Sequence, residues 1–228
     1  RAAYTRNFET AIVKVTLADG SVGWGEATEP ICPEVICRLA VHLIAPFIGG
    51  RRFDHPSAAW EAGYELQRVR GHTAGYVLHA LAALDMAIWD ALARRAGMPL
   101  SAMLSNDPAP RIPAYLSGIR RATLDERIDT LGRLVAEGLS AVKIFATNDT
   151  TETISEIDAL RAGVSGDWQI MVDALWSYDT VAEASEARRR LGDRGVRWLE
   201  CPLIPEDLDA HRELAAGDGA PVDRKSVV

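Results

Sequence analysis

Residues 169–175 read Gln-Ile-Met-Val-Asp-Ala-Leu, an apolar run broken by one carboxylate, and 27 residues after its start the chain reads Val196-Arg197-Trp198-Leu199-Glu200. Short apolar runs bounded by polar segments read as buried strands. Working back toward the N-terminus, residues 141–145 (AVKIF) and 112–116 (IPAYL) have the same character, and the four starts lie 29, 28 and 27 residues apart. Helical stretches are expected between and after them, near 124–137, 151–163, 179–192 and 206–216. A regular alternation of strand and helix at this period predicts βα units and a parallel sheet. An open doubly wound sheet and a (β/α)8 barrel both give that pattern. No Gly-x-Gly-x-x-Gly follows the first strand, which weighs against the dinucleotide-binding version.

Upstream the pattern differs. Residues 11–17 (AIVKVTL) and 22–27 (VGWGEA) flank Ala18-Asp19-Gly20-Ser21 and read as a β-hairpin. A helix over 34–45 is expected to end near Pro46 and the Gly49-Gly50 pair, and another covers roughly 57–68. Residues 76–96 carry Leu81, Leu84, Ile88 and Leu92 at helical spacing, with alanines that permit close approach of a neighbour and Gly97 as a stop. The proline-rich run 105–113 (SNDPAPRIP) predicts a boundary near residue 108, giving domains 1–108 and 109–228.

Composition narrows the function classes. In 228 residues, 25 Lys and Arg face 32 Asp and Glu, a net charge of -7, which disfavours nucleic acid or an anionic membrane surface as partner. No stretch approaches 18 uncharged apolar residues, so no membrane span is expected. Three cysteines give no disulfide framework, and Cys201 lies far from Cys32 and Cys37, so no zinc set is expected among them. A reducing, cytoplasmic setting is the expectation.

Three polar residues interrupt or end apolar strands: Lys143, Asp173 and Glu200. A buried charge is costly unless paired or bound to metal. Ligands of parallel αβ folds gather at the C-terminal strand ends. Two carboxylates there describe a hard-cation site for magnesium or manganese. Lys143, one strand earlier, offsets charge on a bound anion or accepts a proton if its pKa is depressed. Acidic residues at strand ends also serve as caps or salt-bridge partners, and an α/β binding domain with no metal is the competing reading. Trp176, just past Asp173, and Cys32, in the loop after the hairpin, are the substrate-contacting candidates. Cys32 is not read as a nucleophile, because no histidine pairs with it.

GWGEA (23–27), ALDMAIWDAL (83–92) followed by MPL (98–100), VDALW (172–176) and WLECPL (198–203), in that order, resemble the mandelate racemase and muconate lactonizing enzyme group of the enolase superfamily. The resemblance implies an N-terminal α+β capping domain followed by a modified TIM barrel. It makes Asp173 and Glu200 two of three magnesium carboxylates. It also implies removal of the proton α to a carboxylate, with the metal stabilising the resulting enediolate.

Two departures shape the expectation. Where many members carry Lys-x-Lys, this chain has Lys143-Ile144-Phe145, which disfavours a racemase with bases on both faces of the substrate. Lys143 and Phe145 share a strand face, so Lys143 remains the catalytic candidate. After residue 222 the chain reads Asp223-Arg224-Lys225-Ser226-Val227-Val228, a tail unlike the family's fifth strand with its third metal ligand. The family's first strand would precede residue 1. The chain is therefore expected to hold about four βα units, roughly half a barrel, and to show little catalysis by itself. Dehydration of a sugar acid is the expected reaction of the intact enzyme, with racemisation, epimerisation or cycloisomerisation as alternatives. Its expected partners are a small carboxylic acid and further copies of itself.

Overall fold

The computed structural model describes residues 9–29, 31–147 and 149–223. The chain divides into two compact units that part between Pro110 and Arg111.

The first unit opens with an antiparallel hairpin, β1 (Ala11–Thr16) and β2 (Val22–Ala27), paired from Ala11↔Ala27 to Thr16↔Val22. Its turn uses Gly20 at φ +88° and the Asp19 carboxylate, which accepts from the Ser21 N–H at 2.9 Å. The helices are α1 (Pro33–Leu39), a π-helical turn (Ala40–Ile44), α2 (Ala45–Ile48), α3 (Pro56–Arg68), α4 (Tyr76–Ala96) and α5 (Leu100–Leu104). The helix runs past Pro46 to Ile48 and ends at Gly49, the first of the two glycines expected near its end. The Ala45 N–H reaches back to the Ala40 carbonyl, five residues away, and this extra residue puts Pro46 in the first turn of α2. A first-turn proline forfeits no helical hydrogen bond.

By length and hydropathy alone α4 could cross a membrane. In this unit its small face is instead buried on the hairpin. Ala83, Ala87 and Ala91 are fully buried, and a Cβ on Gly25 or Gly23 would lie 1.8 Å from the Ala83 carbonyl oxygen or 2.1 Å from that of Ala87. The GWGEA signature is thus a packing requirement, with glycines on the helix side and Trp24 outward. The Trp24 N–H donates to the Asp90 carboxylate of α4 at 2.9 Å. Arg94 first, then this N–H, holds Asp90 below the usual carboxylate range.

The second unit is a five-stranded parallel sheet with helices between its strands: β3 (Leu116–Ser117), α6 (Leu124–Ala136), β4 (Ala141–Phe145), α7 (Thr150–Gly163), β5 (Gln169–Asp173), α8 (Val181–Gly192), β6 (Val196–Glu200), α9 (Leu208–Ala216) and β7 (Val222–Asp223). The spatial order is β3-β4-β5-β6-β7. A doubly wound sheet reverses direction at a switch point. This one adds each strand beside the last, as a barrel does, which decides between the two architectures left open by period alone.

The first strand is shorter than residues 112–116 would make it. Only Leu116 and Ser117 pair with β4. Pro113 lacks the N–H that a ladder needs, and Ile112 is 83% exposed. At the other end, Val222 and Asp223 continue the sheet, opposite Leu199 and Glu200. The tail is therefore strand at its start; the expectation for residues 224–228 lies outside the described residues.

Val142, Ile144, Ile170, Val172 and Leu199 face the helices and meet Leu131, Ile157, Leu160 and Leu191 in the main core. Between Ile170↔Val196 and Val172↔Leu199 the β6 strand has one residue more than β5. This bulge lets Val196 and Leu199 both face the core and leaves Trp198 and Glu200 on the opposite face. Capping boxes at Thr123/Glu126 and Thr180/Glu183 start α6 and α8 where the chain leaves the strand ends.

Two stability outcomes follow. Gly25→Ala drives a methyl group into the α4 backbone and lowers the urea stability by about 3 kcal/mol, as overpacking does. Thr123→Ala removes the α6 cap and costs about 1 kcal/mol. Urea unfolding followed by circular dichroism measures both; an unchanged midpoint for Gly25→Ala contradicts the close approach of β2 to α4.

Candidate metal centre

Parallel pairing aligns the ends of three neighbouring strands. Phe145 stands opposite Asp173, and Asp173 opposite Glu200, while Lys143 stands opposite Met171 two residues earlier on β4. Alternation puts Lys143, Asp173 and Glu200 on the face away from the helices. Lys143 Nζ lies 2.5 Å from Glu200 Oε2 and 3.5 Å from Asp173 Oδ2, and the three side chains are between 8 and 13% exposed. The ammonium also lies 5.7 Å from the centre of the Tyr115 ring, which meets Trp198 edge-on.

Burial weighs most on both Lys143 and Asp173. For Lys143 it opposes the charge, yet the hydrogen bond and charge of Glu200, with the charge of Asp173, outweigh it and raise the pKa above the ordinary lysine value. For Asp173 burial and the Glu200 charge push the carboxyl upward, against the Leu175 N–H and Lys143. Asp173 thus resists ionising, and the lysine stays charged.

The loops after β5 and β6 are tied together by backbone. The Ala174 N–H donates to the Glu200 carbonyl, the Trp176 N–H to the Cys201 carbonyl and the Cys201 N–H to the Asp223 carbonyl. Asp173 Oδ1 accepts from the Leu175 N–H at 3.1 Å. Leu175, Trp176 and Cys201 all have positive φ, from 49 to 57°, which ends β5 at Asp173 rather than at residue 175. Such conformations cost non-glycine residues about 1 kcal/mol or more and concentrate at functional sites.

Lys143, Asp173 and Glu200 come together. Trp176 sits on the tied loop, half-exposed, three residues past Asp173. Cys32 is exposed at the start of α1 in the first unit, at φ +55°. Phe145 shares the strand end, its ring against the backbone of Gly118. The residue that sequence reasoning missed is Cys201. Its thiol joins the Asp173 and Glu200 carboxylates in one group, with ligand atoms within 4.8 Å of one another. Among the described residues the third donor beside the two carboxylates is this sulfur, not a third carboxylate. Two hard oxygen donors from adjacent strands suit a divalent cation, and the ammonium on Glu200 already shows that the pocket favours positive charge.

Comparison with known proteins agrees with this geometry. Residues 3–105 match the model described as mandelate racemase / muconate lactonizing enzyme, N-terminal domain, and residues 126–223 match that described as enolase C-terminal domain-like. The D-galactarolactone cycloisomerase of Agrobacterium fabrum is 31% identical over 215 residues, 92% of this chain and 56% of that protein. The arabinonate dehydratase of Saccharolobus solfataricus is 25% identical over 211 residues, 91% of this chain and 56% of that protein. The crystal structure of an enolase-superfamily member from Agrobacterium tumefaciens superposes with a TM-score of 0.86 at 29% identity, over 96% of this chain and 56% of its own. The chain spans about half the length of the curated relatives it matches. With both halves matched in order on a cap and a run of parallel βα units, the chain belongs to the mandelate racemase/muconate lactonizing enzyme family of the enolase superfamily.

Proposed function

We propose that this sequence belongs to a magnesium-dependent enzyme that removes the proton α to the carboxylate of a sugar acid and then expels the β-hydroxyl as water. The observation that carries this reading is the meeting of Lys143, Asp173 and Glu200 at the C-terminal strand ends, with separations of 2.5 and 3.5 Å. Acid-sugar chemistry is supported by the names of its relatives, among them arabinonate dehydratase and L-talarate/galactarate dehydratase.

Asp173 and Glu200 would hold the cation. Once bound, it supplies positive charge for the substrate carboxylate as the α carbon loses its proton. Lys143, kept protonated by its two carboxylates, binds and orients the substrate carboxylate. In that state its Nζ accepts no proton. Phe145, on the same face, offers no base either, so the acceptor comes from outside the described strands. Trp176 lines the entrance from the tied loop and helps exclude water. The electron pair left on the α carbon forms the enediolate. Its collapse breaks the β C–O bond, and the departing hydroxide takes a proton from a general acid outside the described strands to leave as water.

A second reading has its own support. The 31% identity to D-galactarolactone cycloisomerase favours isomerisation of a sugar lactone from the same α-proton abstraction. A longer protein that carries this sequence within a complete barrel separates the two. Supplied with magnesium and a panel of sugar acids and lactones, it is expected to release a keto-deoxy acid from a sugar acid. Turnover of a lactone alone selects the cycloisomerase.

Metal titration tests the shared step on this chain. Magnesium binding by calorimetry is expected in the native sequence and to fall at least about tenfold in Asp173→Asn and in Glu200→Gln; equal affinity in all three contradicts the metal reading. Lys143→Met should act in two directions. It strands two facing carboxylates and costs about 3 kcal/mol without metal, and it tightens magnesium binding by removing the internal competitor. Urea melts with and without magnesium check both effects.

A further inference from the structure

Strand alternation turns Ile12 and Lys14 of β1, and Trp24 and Glu26 of β2, away from α4, and all four are exposed. The register sets Ile12 opposite Glu26 and Lys14 opposite Trp24, so the four side chains form a two-by-two patch. One diagonal of the patch is apolar, Ile12 and Trp24, at 52% and 50% exposure. Neighbouring apolar side chains left this far in water mark a surface that a partner covers more readily than scattered ones do. The other diagonal carries opposite charges, Lys14 and Glu26. Diagonal neighbours on a sheet stand about 7–8 Å apart, and these two do not neutralise each other. The Lys14 ammonium lies over the Trp24 ring, 5.5 Å from its centre. The Glu26 carboxylate has no ion pair or hydrogen bond among the described residues.

We propose that this face docks on the same face of a second copy of the chain, about a two-fold axis that runs along the Ile12–Trp24 diagonal. A two-fold interface must be self-complementary, and these four side chains meet that condition. The axis sets Ile12 against Ile12 and Trp24 against Trp24, and it brings Lys14 of each copy to Glu26 of the other. An axis along the strands would set Glu26 on Ile12, and one across them Glu26 on Trp24, each burying a carboxylate against apolar surface. On the diagonal axis the two hairpins cross steeply, as orthogonally packed sheets do. Docking takes Ile12 and Trp24 out of water, while the two ion pairs at the rim fix the orientation more than they add affinity. The patch is one hairpin wide, smaller than a standard interface, so the dimer dissociates in the micromolar range. It belongs to the first unit, and its docking is independent of the metal centre.

Sedimentation equilibrium of the full chain, from low micromolar to submillimolar concentration, tests the proposal with Lys14→Glu and Glu26→Lys as single variants. The native chain is expected to show a monomer–dimer equilibrium. Each variant weakens it at least about tenfold, because both ion pairs become like-charge contacts. An equimolar mixture of the two variants then recovers association as a heterodimer, since each pair again joins opposite charges. Pairing of Lys14 with Glu26 inside one copy gives no such rescue. Both substitutions fall on exposed strand positions, and circular dichroism establishes that each variant is folded. A native chain that stays monomeric throughout the range overturns the proposal. Association equal in the native chain and both variants places the contact on another face and overturns it too. Weakened variants with no recovery in their mixture overturn the reciprocal Lys14–Glu26 pairing, and the proposal with it.

Discussion

Three charges that cannot be buried separately organise the second unit of this protein. Lys143, Asp173 and Glu200 come from three adjacent strands, and each is nine-tenths buried or close to it. An isolated ion in that setting costs several kcal/mol. The strands must therefore keep a register that brings the three together. The bulge in β6 serves that requirement. Had β6 alternated regularly from Val196 with no bulge, Glu200 would point into the helix-covered core, where Leu199 now packs. Two carboxylates against one ammonium leave the group one positive charge short, so it attracts a further cation.

Much of the architecture was legible in the sequence because it rests on local rules. The period of 27 to 29 residues marked the βα units. The Asp-Gly turn marked the hairpin, and Gly97, which ends α4 at φ +64°, marked the stop of the longest helix. Asp173 stood out because an idle carboxylate is rare inside a strand. What sequence did not reveal lies where a long-range or unusual backbone feature overrides a local rule. Pro46 reads as a stop, but a single π turn re-phases the helix around it. Residues 112–116 have strand composition, yet Pro113 confines pairing to Leu116 and Ser117.

Barrel and doubly wound sheet could not be separated by period, because period records the length of each unit and not the direction in which the next one is added. Spatial strand order supplied that direction. Cys201 was overlooked for a related reason. Alternation is a rule for extended backbone, and the chain ceases to be extended at that residue. Only the positive φ shared by Leu175, Trp176 and Cys201 shows that the loops after β5 and β6 turn back over the strand ends. The same loops are cross-linked by the Ala174, Trp176 and Cys201 amides, so the ligand geometry depends on main-chain hydrogen bonds that any sequence could make.

The central claim is that Asp173 and Glu200 form one cation site. A crystal of this chain soaked in manganese addresses it most directly, through the anomalous difference map. A single strong peak between the Asp173 and Glu200 carboxylates, at the C-terminal ends of β5 and β6, is expected. A map with no peak there, and with Lys143 still bonded to Glu200, would contradict it.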